Sequence, residues 1–365
     1  LFPYTTLFRS HRLMFSFRTT VLGDQLDRAL LEGKVGVFCT PACWDASGGR
    51  YLYDLFRARG NLAAIFMPGE ESVPGTAHIS FDVDELSALD AVVVEIQDAG
   101  SRYFPFTTDV LRLISALASM QDPPALYIVD HPNPAGREVE GTLPAGESDV
   151  WTPACAHRHG LTLGELAQMY AGETGAQISL HVISAELAST ARTLTPWMIP
   201  PASDFAGVFT PFFYCGGKLW TDTDLNPGLG TVRPYEMIGA PFIKTAGSRI
   251  PVPEGVLARP CSFVPLAGLY EGEQCFGWQF IIMPGSRYHS LLHTVQLMRY
   301  FSEHYSQFRI SDSLYGRLAD PVMTEYLRGN ITFDIVEEHV KGEEQRWIRK
   351  AKRYLLYDDQ PIRIK

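Results

Sequence analysis

No apolar run in this chain approaches the length that crosses a bilayer, because each is soon broken by proline, glycine or charge; a spanning helix needs about 20 apolar residues. No basic stripe is present either. With a net charge of -10 and no cluster of lysine and arginine, the chain lacks the footprint that binds phosphates, so nucleic acid is not expected as a partner. Cysteine is sparse. The six, at positions 39, 43, 155, 215, 261 and 275, are too scattered for a disulfide scaffold. Cys39 and Cys43 are a close pair, but no second Cys/His pair at zinc-finger spacing accompanies them, and nothing near His157 and His159 completes a site. They read as buried thiols and ordinary histidines, and no metal or other cofactor is expected.

Two further signals are missing. The turn after the first apolar strand, Thr40-Pro41-Ala42-Cys43-Trp44-Asp45, has none of the glycines that let a backbone approach pyrophosphate, and Gly48-Gly49 comes late enough to be a turn. Met14 to Leu26 has no continuous apolar core of the kind a signal peptide requires. As the sequence stands it reads as cytoplasmic, with Met14 a possible initiator and an export signal upstream left open. Residues 1–10 (Leu1 to Ser10) look like an in-frame translation of a sequencing adapter and are set aside from the fold.

What is present is an alternation of strand and helix. Val35 to Cys39, Leu62 to Met67, Ala91 to Ile96, Ala125 to Val129 and Ile178 to Ile183 read as strands. Arg50 to Arg59 reads as a helix, and so does Thr107 to Met120, with Thr107 or Thr108 as its cap. Thr162-Leu163-Gly164-Glu165 has capping-box spacing and opens a helix through Tyr170 that Gly172 and Gly175 help to end. The pattern predicts an α/β fold with a Rossmann-like parallel sheet over residues 21–215. The Pro-, Phe- and Gly-rich stretch from Thr195 to Gly217 marks the boundary. A smaller α+β domain over residues 216–365 follows, with strands at Cys261 to Val264 and Gly277 to Met283. Its helices are read at Tyr288 to Tyr305, Ser311 to Tyr326 and Ile335 to Tyr354. A cleft between the domains is the default site.

Two strands end in chemistry. Val92 to Ile96 runs into Gln97-Asp98-Ala99-Gly100-Ser101-Arg102-Tyr103, and Leu126 to Val129 into Asp130-His131-Pro132-Asn133-Pro134. In an open parallel sheet, ligands gather at the strands' carboxyl ends, so Asp98 and Asp130 would meet at one rim. Asp98 could equally cap the next helix or pair with Arg102. Arg158-His159-Gly160 precedes the capping box, at a helix amino terminus that favours an anion.

Four motifs carry a family resemblance, and they occur in the family's order: Ile96-Gln97-Asp98-Ala99-Gly100-Ser101-Arg102-Tyr103-Phe104; Asp130-His131-Pro132-Asn133-Pro134 with Glu138-Val139-Glu140-Gly141; Arg158 to Leu166; and Gly228 to Pro241. From about Val21 to Tyr357 the chain resembles the NamZ-type exo-β-N-acetylmuramidases. The resemblance implies a glycosidase that removes β-linked N-acetylmuramic acid from the non-reducing end of peptidoglycan fragments, with muramyl sugars as its partners.

Glycoside hydrolysis needs an acid for the leaving oxygen and a second group for the cation or the water. Asp98, Asp130 and Glu70 are the catalytic candidates, with Glu71 sharing the position of Glu70. The lactyl carboxylate of the substrate calls for a fixed cation, for which Arg102, Arg158 and Arg233 are candidates. Gln97, Tyr103, Asn133, Glu140, His159, Asp224 and Glu236 complete the expected substrate contacts, core packing being the alternative for Tyr103. Against the family pattern, Ser-Pro-Glu-His-Gly becomes Met67-Pro68-Gly69-Glu70-Glu71. Glu-Gly-Thr-Asn becomes Thr221-Asp222-Thr223-Asp224, Glu-Gly-Arg-Gly-Thr becomes Pro227-Gly228-Leu229-Gly230-Thr231, and the segment from Val73 to Leu86 is shorter. These departures open two alternatives: a glycan-binding relative with impaired catalysis, or a hydrolase of another amino sugar.

Overall fold

The computed structural model describes residues 30, 32–44, 49–68, 81–145, 154–183, 199–245, 248–357 and 362–364. The leader at 1–10, the stretch from Met14 to Leu26, and the acids Glu70 and Glu71 lie outside the described residues, as do residues 73–80 of the shortened segment. Two compact units divide the chain. Leu1–Asp98, Pro105–Asn133 and Leu161–Ala202 form one; Ala99–Phe104, Pro134–Gly160 and Ser203–Lys365 form the other.

The first unit is built on strands that read as continuous apolar runs, which is how strands covered on both faces read. In chain order the strands are Val35–Cys39 (β1), Leu62–Phe66 (β2), Ala91–Glu95 (β3), Ala125–Val129 (β4), the two-residue Glu138–Val139 (β5, in the second unit) and Leu180–Ile183 (β6). All but β5 form one parallel sheet in the order β2-β1-β3-β4-β6. Every residue of β1 and β3 is buried. Leu52 and Phe56 of the helix Leu52–Arg59 (α1) pack with Val35, Val37, Val93 and Tyr127 into the core of this sheet. Val83–Ser87 (α2), Pro105–Ala118 (α3) and Leu163–Thr174 (α4) are its other helices.

Some boundaries differ from the sequence reading. The helix expected from Thr107 starts at Pro105, since proline is well placed in a first turn where no N–H bond is required; Thr107 and Thr108 are buried inside that turn rather than capping it. The capping box of Thr162 and Glu165 forms as expected. Its helix passes Gly172 and ends at Gly175, whose φ of 67° suits a residue without Cβ.

In the second unit Met237–Ala240 (β7), Val256–Phe263 (β8) and Cys275–Ile282 (β9) form an antiparallel sheet in the order β7-β9-β8. Strand β8 begins before the expected Cys261. Pro260 lies within it and is tolerated because β8 is an edge strand. The helices described in this unit are Thr210–Gly217 (α5), Ser290–His304 (α6), Asp312–Leu318 (α7), Pro321–Arg328 (α8) and Phe333–Ala351 (α9). The single helix expected from Ser311 to Tyr326 is therefore two. Pro321 pushes the residue before it to extended backbone, and Asp320 becomes a cap whose Oδ1 accepts from Met323 N at 2.7 Å. Arg363–Ile364 (β10) pairs in parallel with β5. Among the described residues no helix is long and apolar enough to cross a membrane.

Candidate active site

The strand order fixes where a ligand would gather in the first unit. From β1 the chain goes to β2 on one side and then to β3 on the other, so the direction of winding reverses between β1 and β3. Open α/β sheets bind their ligands in the crevice outside the carboxyl ends of the strands at such a reversal. Thr40 to Cys43 follow β1 there, Glu95 to Asp98 end β3, and Asp130 to Asn133 follow β4.

Gln97 fastens two of these loops. Its Nε2 donates to Asp98 O at 3.0 Å and to Pro132 O at 3.1 Å, and its Oε1 makes no hydrogen bond among the described residues. Asp98 is buried, and its Oδ1 accepts from Thr107 Oγ1 at 2.5 Å. Thr107 thus orients the carboxyl group instead of capping a helix. Asn133 Nδ2 donates to Leu161 O at 2.9 Å.

Asp130 does something different from what its position in the motif implied. Its Oδ2 accepts from Thr162 Oγ1 at 2.6 Å, and its Oδ1 from Gly164 N at 2.9 Å and His131 N at 3.1 Å. Donors converge on it at the amino terminus of α4, where N–H groups lack helical partners and the dipole favours negative charge. The anion expected near that terminus is thus the protein's own carboxylate. With three donors on its roughly four acceptor sites, Asp130 is held as a structural acceptor at the start of α4.

Glu95 and His131 were absent from the sequence candidates. Glu95 ends an otherwise apolar strand and is buried; His131 Nε2 lies 3.5 Å from its Oε1. Cys43 Sγ donates to the Glu95 backbone O at 2.7 Å, and Cys39 faces Glu95 in the register. An acid interrupting a run of buried apolar residues was the available signal, since a charge is buried only with compensation.

In the second unit the segments around Arg102, Glu140 and Arg158 run side by side, joined by bridges of Ser101 and Glu140 to Arg158. The three arginines expected to offer a fork divide sharply. Arg102 Nη1 donates to Thr142 O at 2.9 Å and its Nη2 to Leu318 O at 2.6 Å. Nη2 also lies 2.9 Å from Nε2 of His157, a ring held neutral because burial, and then the Arg102 charge, push its pKa well down. Arg158, fully buried, reaches Glu140 at 2.8 Å, Glu138 at 3.2 Å and the Ala135 carbonyl. Glu140 further accepts from Ser290 Oγ at 2.7 Å. These side chains hold protein to protein. Arg233 alone of the three exposes about half its side chain (51 %), paired at 3.0 Å with Glu236, which also accepts from Thr210.

The remaining candidates fall in the same unit. The Tyr103 hydroxyl reaches Arg317 O at 3.5 Å, and its ring meets His157 edge-on; burial pushes its phenol well up, so it stays protonated. His159 is buried, with its carbonyl accepting from Trp347 Nε1 at 2.9 Å. Asp224 is half-buried, and its carbonyl accepts from Tyr270.

Two family models match the chain: "Exo-beta-N-acetylmuramidase NamZ, N-terminal" over residues 79–201 and "Exo-beta-N-acetylmuramidase NamZ, C-terminal" over residues 212–357. A peptidoglycan β-N-acetylmuramidase NamZ of Bacillus subtilis (strain 168) is 25 % identical over 287 residues, covering 74 % of this chain and 68 % of that protein. Two crystal structures of DUF1343 family proteins from Bacteroides fragilis NCTC 9343 share the fold. One has a TM-score of 0.77 at 20 % identity, with 93 % of this chain and 97 % of that one covered. The other has a TM-score of 0.72 at 20 % identity, with 92 % and 97 % covered.

Proposed function

Because this chain belongs to the NamZ exo-β-N-acetylmuramidase family, we propose that it is a glycoside hydrolase acting on peptidoglycan fragments. It would remove β-linked N-acetylmuramic acid from their non-reducing ends. The observation that carries the reading is Asp98, a buried carboxyl oriented by Thr107 at the carboxyl end of the strand beside the sheet's reversal.

In this reading Asp98 protonates the leaving glycosidic oxygen, and Glu70 is the carboxylate that stabilises the developing oxocarbenium-like cation. Gln97 Oε1 accepts from a sugar hydroxyl, and Arg233 takes the lactyl carboxylate.

Purified protein incubated with a chromogenic N-acetylmuramide, and with a disaccharide bearing N-acetylmuramic acid at its non-reducing end, tests this. Release of free N-acetylmuramic acid is expected; no turnover of either substrate overturns it. A second reading, glycan binding with impaired catalysis, is favoured by the loss of family acids at Thr221 and Pro227. Saturable calorimetric binding of muramyl sugars without hydrolysis would establish that one. A panel of other amino sugars separates either from a hydrolase of changed specificity.

A further inference from the structure

We propose that His131, oriented by Glu95, is the proton-transfer residue of the site at the carboxyl edge of the parallel sheet; this rests on the glycosidase reading above. The two residues come from neighbouring positions in the fold, Glu95 ending β3 and His131 following β4 by one residue. Both are nearly inaccessible, Glu95 at 4 % and His131 at 9 % of side-chain surface.

The contact between them fixes the proton. Nε2 of His131 is buried, lies 3.5 Å from Oε1 of Glu95, and completes no hydrogen bond. A buried ring N–H needs an acceptor, and the Glu95 carboxylate is the one in place. Nε2 therefore carries the hydrogen and Nδ1 the lone pair, and Nδ1 makes no hydrogen bond among the described residues. A base oriented by a carboxylate behind it is the arrangement that activates nucleophiles in hydrolases. Contacts of this kind are often long without substrate and tighten when it binds.

The ring also stands on a rigid support. The backbone N–H of His131 donates to Asp130, which Thr162 and Gly164 hold in turn. The other titratable groups around the pair are Cys39 at the end of β1, Cys43 after it, Asp98 beyond Glu95, and Asp130. Burial pushes the Cys39 thiol well up, so it stays uncharged.

In the step that consumes water, Nδ1 takes a proton from the water as its oxygen bonds to the anomeric carbon. Hydrolysis breaks the bond from that carbon to the leaving sugar, whose oxygen takes its proton from Asp98. The imidazolium, balanced by Glu95, then returns its proton to solvent, from which Asp98 is reprotonated. His131 is thus a catalytic residue and Glu95 a positioning residue.

The test uses the full chain. His131→Ala is expected to lower kcat on a chromogenic N-acetylmuramide by about 10²- to 10⁴-fold, with added imidazole restoring part of the rate. His131→Gln, checked for native fold by circular dichroism, should be equally slow but not rescued. Nitrogen NMR of the wild-type ring should report hydrogen on Nε2, and Glu95→Gln should weaken that preference. Hydrogen on Nδ1, or a tautomer indifferent to Glu95→Gln, overturns the pair whether or not muramides are hydrolysed. Wild-type turnover with His131→Ala equally fast overturns the role of His131 alone. A wild type that hydrolyses no muramide overturns the glycosidase reading and this step with it.

Discussion

Gly164 and Asp130 are in such close contact that a β-carbon added to Gly164 would lie 2.9 Å from the Asp130 carboxylate carbon and 2.5 Å from Val182 Cγ1. The absence of a side chain lets the first turn of α4 settle onto the carboxylate, so that N–H and hydroxyl donors reach it together. The energetic consequence is local and large.

Replacing Asp130 with alanine leaves the Thr162 hydroxyl and the Gly164 N–H without their acceptor. A loss of stability of about 2 to 4 kcal/mol is expected from such orphaned buried donors. Urea denaturation measures it; a loss below about 0.5 kcal/mol, the level of ordinary surface changes, would contradict the role assigned to this carboxylate.

Asp98→Asn should behave in the opposite way. An amide oxygen can still accept from Thr107, so the melting temperature should stay close to wild type. Turnover of an N-acetylmuramide should fall by about 10²- to 10⁴-fold, the range for losing a general acid. Unchanged kcat with intact fold would remove Asp98 from the chemistry.

Arg233→Ala removes a half-exposed guanidinium whose ion pair with Glu236 contributes about 0 to 1 kcal/mol at most. Stability should hardly change. KM for a muramide should rise, while the KM for an analogue without the lactyl carboxylate should not. Equal effects on both substrates would argue against a carboxylate contact.

The Arg158–Glu140 pair should prove purely structural. Arg158→Ala takes the guanidinium from the fully buried Glu140 carboxylate, leaving it donors such as Ser290 Oγ and Leu291 N, and should cost about 3 to 5 kcal/mol. Exchanging both for apolar residues of similar volume should cost less than the single change. A double-mutant cycle on denaturation midpoints checks this.

The stability of the second unit should also depend on acid. Burial pushes the His293 imidazole down from 6.5 to about 4. Its Nε2 donates to Pro251 O at 3.2 Å and its Nδ1 accepts from Tyr288 at 3.0 Å, a neutral ring with both nitrogens used. The unfolded chain binds a proton near pH 6.5 that the folded ring refuses. The contribution is therefore complete above about pH 6.5 and is lost as pH falls towards 4, by up to about 3 kcal/mol. Urea midpoints between pH 7 and 4 should fall less steeply for His293→Gln than for wild type.

Much of the first unit was legible because its strands are uninterrupted apolar segments between turns, and Gln97, Asp98, Asp130 and Asn133 follow them directly. Side-chain partners were not legible. The acceptors of Arg102 include a carbonyl 216 residues away, and no local pattern encodes such a distance. Glu95 was hidden because an acid ending an apolar strand resembles the onset of a loop. Helix α5 was hidden by Pro211, Gly216 and Gly217. A β-carbon on Gly216 would come within 2.2 Å of the Ser290 carbonyl, so the residues that look like breakers are those that let α5 and α6 pack closely.

The order in which the second unit is synthesised bears on the pairing of Arg363–Ile364 with Glu138–Val139 and on the Trp347 bond to His159, which joins positions 188 residues apart. The segment around Glu138 to His159 leaves the ribosome long before the strand and the indole that close it. At about 5 to 20 residues per second, it waits of the order of ten seconds or more with those backbone groups open. Contacts this distant in sequence also slow folding, because loop-closure entropy is lost before they form. The nascent second unit therefore stays open until its last residues are made, and a chain cut short before Trp347 would carry every family motif but lack the indole and the strand that close the fold around them.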